Sequence, residues 1–134
     1  MNPKIEAFIS KHHLLSLATH CSQLWCCSLF YAYDAEQVAF IVATDKETLH
    51  GANIVKNHTV AGTVALETKT VGKIQGIQFR GEMTLCDEAK EVYFDVFPFS
   101  RVMNPTLWTI RLDEIKMTDN TLGFGKKLNW KRSF

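Results

Sequence analysis

The segment Thr44-Asp45-Lys46-Glu47-Thr48-Leu49-His50-Gly51-Ala52-Asn53 gathers the side chains best suited to chemistry. It leads from an apolar, β-like stretch into a helical pattern. A helix start offers free backbone N–H groups and the positive end of the helix dipole to an anion. With Thr44 at the strand end, Lys46, Thr48 and His50 add a cation, a hydroxyl and an imidazole, a set that can hold a phosphate monoester. The same residues also suit a solvated turn and helix cap, the commoner use of Lys and Thr. A second candidate is Lys73 to Gly81, which carries Gln75 and Gln78 among the glycines Gly76 and Gly81. Glycine in a strand lets a flat ligand approach the backbone, and glutamine both donates and accepts at the edge of such a ligand. Both amides would serve equally well on an exposed sheet.

Five histidines and four cysteines raise the question of a metal, but no pair has a recognised ligand spacing. Cys26 and Cys27 adjoin, so on a strand they point to opposite faces, and packing as small apolar residues is the default over redox chemistry. The tail holds Lys126, Lys127, Lys131 and Arg132 around Trp130. With 15 Lys and Arg against 14 Asp and Glu, the net charge of +1 supplies no field for nucleic acid or an acidic membrane.

The elements that must position these residues follow from periodicity. Asn2-Pro3 starts a helix over Pro3 to Lys11 with Ile5, Phe8 and Ile9 on one face. Strands are expected at 14–19, 24–33 and 37–44, with a hairpin turn at Asp34-Ala-Glu36. The second strand is apolar on both faces: Trp25, Cys27, Leu29, Tyr31 and Tyr33 on one, Leu24, Cys26, Ser28, Phe30 and Ala32 on the other. Both faces must therefore be covered, as in a barrel that also meets a helix or a second subunit. A short helix begun at Thr44 or Asp45 precedes strands at 59–67 and 73–85. Asp87 is placed to cap a helix carrying Ala89, Val92, Tyr93, Val96 and Phe97 and ended by Pro98. A final strand at 107–117 leads to the tail. Three consecutive early strands exclude regular parallel β-α-β alternation and predict an antiparallel barrel. The 134 residues, 46% hydrophobic and 22% charged, make one domain, 1–134. The polar start, the lack of an apolar run of spanning length and the unpaired cysteine pattern predict a cytosolic protein with reduced thiols, outside the membrane.

Several short motifs occur in a fixed order: Leu17-Ala-Thr19, the strand ends Phe30-Tyr-Ala-Tyr-Asp34 and Val42-Ala-Thr44, Thr48-Leu-His50-x-x-Asn53-Ile, Asn57-His-Thr-Val-Ala61 and Ile74-Gln-Gly-Ile-Gln-x-x-Gly81. Together, over the whole chain, they resemble the pyridoxamine 5′-phosphate oxidase-like FMN-binding split barrels. The ending from Gly123 to Arg132 is similar to the uncharacterised YhbP-like branch. The resemblance implies a mainly β (α+β) fold, a six-stranded antiparallel split β-barrel with short capping helices. It also implies a homodimer with FMN at the interface, acting as a flavin-dependent oxidoreductase on an unidentified small substrate. Thr44, Lys46, Thr48 and His50 would then meet the phosphate or ribityl chain; backbone groups of Cys26, Cys27 and Ser28 would lie near the ring; and Gln75 or Gln78 would reach toward it. Thr48-Leu49-His50 stands where the wider family often has Ser-Arg-Lys, so two fixed cations are missing. The C-terminal extension that orients pyridoxal-type substrates is not found, and oxidation of vitamin B6 is not expected. The alternative is a non-catalytic or haem-binding split barrel for storage, sensing or haem handling, with His20, His50 or His58 as ligand. The tail is expected to lay Phe124 and Trp130 over the partner subunit's cleft.

Overall fold

The computed structural model describes residues 1–86 and 88–133. Helix α1 (Pro3–Lys11) begins where expected, with the Asn2 side chain accepting from the Lys4 N–H and Pro3 in the first turn. It buries Ile5, Phe8 and Ile9 across one end of a barrel made of β1 (Leu14–His20), β2 (Leu24–Asp34), β3 (Ala39–Ala43), β4 (Thr59–Ala65), β5 (Gln75–Leu85) and β6 (Leu107–Asp119). The order is β3-β2-β1-β4-β5-β6, every pairing is antiparallel, and β3 pairs β6 to close the ring. This is the six-stranded split barrel that the strand pattern and the resemblance implied. Helix α2 (Leu49–Lys56) joins β3 to β4, and α3 (Lys90–Val96) lies outside β2 and β3.

The barrel is filled from alternate positions of every strand: Leu15 and Leu17, Tyr31, Phe40 and Val42, Val60 and Val64, Ile77, Phe79 and Met83, Ile110, Leu112 and Ile115. The Tyr31 hydroxyl is satisfied inside by the Ile9 carbonyl at 2.7 Å. A bulge at Arg80/Gly81 offsets β5 against β6. A Cβ on Gly81 would lie 2.1 Å from the Arg111 carbonyl oxygen, so this glycine marks a close backbone approach, one of the meanings expected of it.

Two parts of the chain depart from expectation. The tail forms a seventh strand, β7 (Lys127–Lys131), against the second half of β6. Trp130 packs on the chain's own barrel, while Phe124 stays exposed in the turn before it. Arg132, beyond β7, donates to the carbonyls of Leu112 at 2.8 Å and of Gln37 and Val38 at 3.0 Å each, and its guanidinium lies over Trp130. It thereby fixes the β2–β3 turn, where Val38 has a φ of +54° that a β-branched residue resists. The second departure is β2. Its end, Tyr31 to Asp34, is covered as expected, with α3 supplying Tyr93 against Ala32. Its beginning is not: Leu24 is 71% exposed, Trp25 50% and Phe30 59%. The expected cap at Asp87 lies outside the described residues.

Candidate functional site

The barrel splits between β2 and β3. The two strands pair only from Tyr31↔Val42 to Asp34↔Ala39, whereas β1 follows β2 from Leu24 to Phe30. Strand β3 stays with β6 instead. Its last residues are drawn that way by the Thr44 N–H on the Thr106 carbonyl at 3.1 Å and by the Trp108 indole N–H on the Thr44 carbonyl at 3.0 Å. Among the described residues, no strand pairs the other edge of β2 between Leu24 and Phe30, so Cys26, Cys27 and Ser28 lie on an open strand edge. An open edge presents backbone N–H and C=O groups ready to bond.

Helix α2 is anchored beside that edge. The Asn53 amide, buried, donates to Thr19 Oγ1 and to the Gln23 carbonyl, both at 3.1 Å, tying the helix to the β1–β2 turn. The helix begins later than expected, at Leu49. Thr48 is its cap, accepting from the Gly51 N–H at 3.0 Å and donating to the Asp45 carbonyl at 2.8 Å. The Leu49 and His50 N–H groups have no acceptor within the helix, as geometry requires of a first turn. Gly51 is needed there, since a Cβ would meet the Asp45 carbonyl oxygen at 2.2 Å.

His50 points inward from α2. Its Nε2 shares a short hydrogen bond of 2.5 Å with Thr44 Oγ1. Burial pushes the imidazole pKa below the usual histidine value, so His50 is neutral at pH 7. Thr44, Thr48 and His50 thus form one rigid corner, with Lys46 on the exposed turn between them as its cation. Cys27 is half-buried, and burial, with Cys26 beside it, pushes its thiol up, away from a nucleophilic thiolate. Cys26 and Ser28 face outward.

The two glutamines are not brought together. Three residues apart on a strand, they take opposite faces. Gln75 sits near α1, where its amide donates to Asp119 Oδ2 at 3.2 Å, away from the corner. Gln78 is outward and exposed, in the row Gln78–Thr63–Ser16–Ser28 that crosses β5, β4, β1 and β2. Asn53 and Trp108, which hold α2 and Thr44, were missed as positioning residues. The signal for Asn53 was there: with His50 and Ile54 it makes an i, i+3, i+4 face that a surface helix would not give to a polar amide.

No protein-family model matches the chain. It is 49% identical over 138 residues to a UPF0306 protein of Cronobacter sakazakii, an alignment covering 96% of this chain and 94% of that one. It is 45% identical to the UPF0306 protein YhbP of Salmonella arizonae, over 96% of this chain and 91% of the relative. The chain belongs to the UPF0306 family. Among solved structures it resembles a NimC/NimA family protein of Clostridium acetobutylicum (TM-score 0.73, 15% identity, 96% of this chain and 90% of that one). It also resembles a FAD-binding protein of Mesorhizobium loti (TM-score 0.71, 10% identity, 85% and 89%). A haem-binding protein of Mycobacterium smegmatis has a TM-score of 0.72 at 13% identity over 92% of this chain, which spans only 54% of that protein. At these identities the likeness is one of fold. No helix among the described residues is long and apolar enough to cross a membrane.

Proposed function

We propose that this UPF0306 protein binds FMN at a homodimer interface and serves as a flavin-dependent oxidoreductase for a small substrate. The observation that carries the reading is the open β2 edge beside the amino end of α2. A flat ring can take backbone hydrogen bonds from Cys26 to Ser28, while a phosphate meets the Leu49 and His50 N–H groups and Lys46 beside the Thr48 cap. The corner fits a phosphate in its backbone donors and helix dipole, and it is weaker in charge than a corner with two further cations. Within this chain, Thr44 and neutral His50 hold the turn in shape, and the exposed Cys26, Ser28, Ser16 and Thr63 leave a shallow outer face against which a second copy can close. Gln78 lies about 14 Å from Ser28 along the sheet, three strand spacings away, so a glutamine touching the same ring would come from the second copy. When bound, the flavin supplies hydride chemistry, and the protein supplies orientation, exclusion of water and hydrogen bonds. The FAD-binding and haem-binding folds it resembles support a planar cofactor in general terms.

The test is titration of the purified protein with FMN, riboflavin and haemin, with mass by light scattering. FMN bound at one per chain to a dimer, and more tightly than riboflavin, is the expected result. Equal affinity for riboflavin removes the phosphate corner. A Soret band without flavin binding replaces the reading with a haem-handling one, and a monomer that binds neither ends it.

A further inference from the structure

Between α2, the turn before it and the adjoining ends of β5 and β6 lies a groove of about 430 Å³, lined by Lys46, Val55, His58, Thr84, Leu85 and Trp108. Its volume is in the range of small-molecule sites. The floor is rigid. Trp108 is 2% exposed, and its strand is paired on both sides, to Val42 and to Leu85. The walls are apolar side chains with solvent in front of them, Val55 at 55% exposure and Leu85 at 46%. At the rim stand Lys46, from the turn before α2, and His58, whose carbonyl accepts from the Met83 N–H at 2.8 Å and so is held beside β5. Thr84 adds a hydroxyl. Asp45 and Glu47 flank Lys46 in sequence, but no carboxylate among the described residues lines the groove.

Two aliphatic walls above a buried indole, a cation and an imidazole on separate segments, and no carboxylate among the described lining residues suit one ligand class. We infer that the groove is a second binding site, for a small aromatic carboxylate. The ring packs between Val55 and Leu85, with only the edge of the buried Trp108 beneath it, and the carboxylate faces Lys46 and His58. The site is physically joined to the corner in front of it, because the indole that floors the groove donates its N–H to the Thr44 carbonyl, and Thr44 holds His50. An occupant pressing on Trp108 is therefore felt at Thr44. The inference stands on the groove alone and needs no flavin.

The experiment follows the indole N–H resonance of Trp108 in nitrogen-15-labelled full-length protein, assigned with Trp108→Phe. The protein is titrated with benzoate, benzamide and acetate at fixed ionic strength. Benzoate should shift the resonance saturably, with benzamide and acetate binding more weakly. His58→Ala should weaken benzoate about two- to fivefold, the worth of one solvent-exposed polar partner. Val55→Glu, on the exposed side of α2, should weaken it further by repulsion. An unmoved Trp108 resonance, benzamide binding as tightly as benzoate, or affinity unchanged in both variants overturns the inference. Because Lys46 borders both sites, FMN titrated into separate samples free of benzoate distinguishes them. FMN binding without a benzoate response sinks the groove alone, and a benzoate response without FMN binding sinks the flavin reading alone.

Discussion

Thr48 does two jobs that substitution can separate. As the cap of α2 it satisfies the Gly51 N–H, and as a hydroxyl it stands where a phosphate would sit. Thr48→Ala should lower stability by about 1 kcal/mol through loss of the cap. Thr48→Asp keeps a good cap but adds a negative charge, so the urea midpoint should hold while FMN affinity falls about tenfold. If Thr48→Asp binds FMN as the parent does, the phosphate is elsewhere. His50 gives a pH signature. Its pKa is depressed in the folded chain by burial, so below about pH 6.5 the unfolded chain binds more protons and stability falls with acidification. His12 is depressed as well, first by its own burial, and shares in that loss. His50→Gln should lose less stability than the parent between about pH 7.5 and about pH 5.5 in urea titrations, and an equal loss would assign the effect to other groups.

At the scale of elements, the clasp made by Arg132 is the contact with the largest expected effect. It donates to three carbonyls on β6 and the β2–β3 turn. Arg132→Ala should destabilise by about 2 kcal/mol in urea unfolding, the range for hydrogen bonds to a charged group. Lys, a point charge without the planar fork, should recover only part of that. The clasp and β7 also show where sequence reading stopped. The α1 cap, the early strands and β6 were legible because each has a period and a punctuating residue. Strand β7 is masked in the sequence: Leu128 and Trp130 alternate with Lys127, Asn129 and Lys131, but the run is short and its charges resemble a solvated tail. Helix α2 was placed too early because Thr44 and Asp45 look like caps, and only the folded turn shows that Thr48 takes that role. The corner of Thr44, Lys46, Thr48 and His50 is legible as a contiguous motif. The open β2 edge is not, since it arises from β3 choosing β6, a long-range pairing with no local signature. Gln75 and Gln78 take opposite faces of β5 by strand parity, which their spacing already contains.

For the whole molecule, the decisive question is what meets the outer face of β2, β1, β4 and β5. Ser28 is exposed there, so Ser28→Arg leaves the barrel's interior untouched while placing a long cation at the β2 margin of the proposed interface, beside the open edge. The variant should keep the parent's circular dichroism, run as a monomer by light scattering and lose FMN. A dimer with full FMN affinity would move the interface to another face. Phe99, Val102 and Met103 are 89%, 89% and 82% exposed on the 3-10 turn Pro98–Met103 that follows α3, and in the proposed dimer they would add apolar area for the second copy.

The ring of strands is completed by Ala39 meeting Arg111, and its clasp by Arg132 reaching Gln37. Both contacts join an early segment to a late one, and contacts of that kind are entered slowly because the loop they close must be ordered first. Until then the β1–β2 hairpin can form, but β3 has an unguarded edge of Ala39, Phe40, Ile41 and Val42, a short apolar strand of the kind that pairs with strangers. The folding chain is thus most vulnerable to aggregation at the strand whose later choice of partner opens the split.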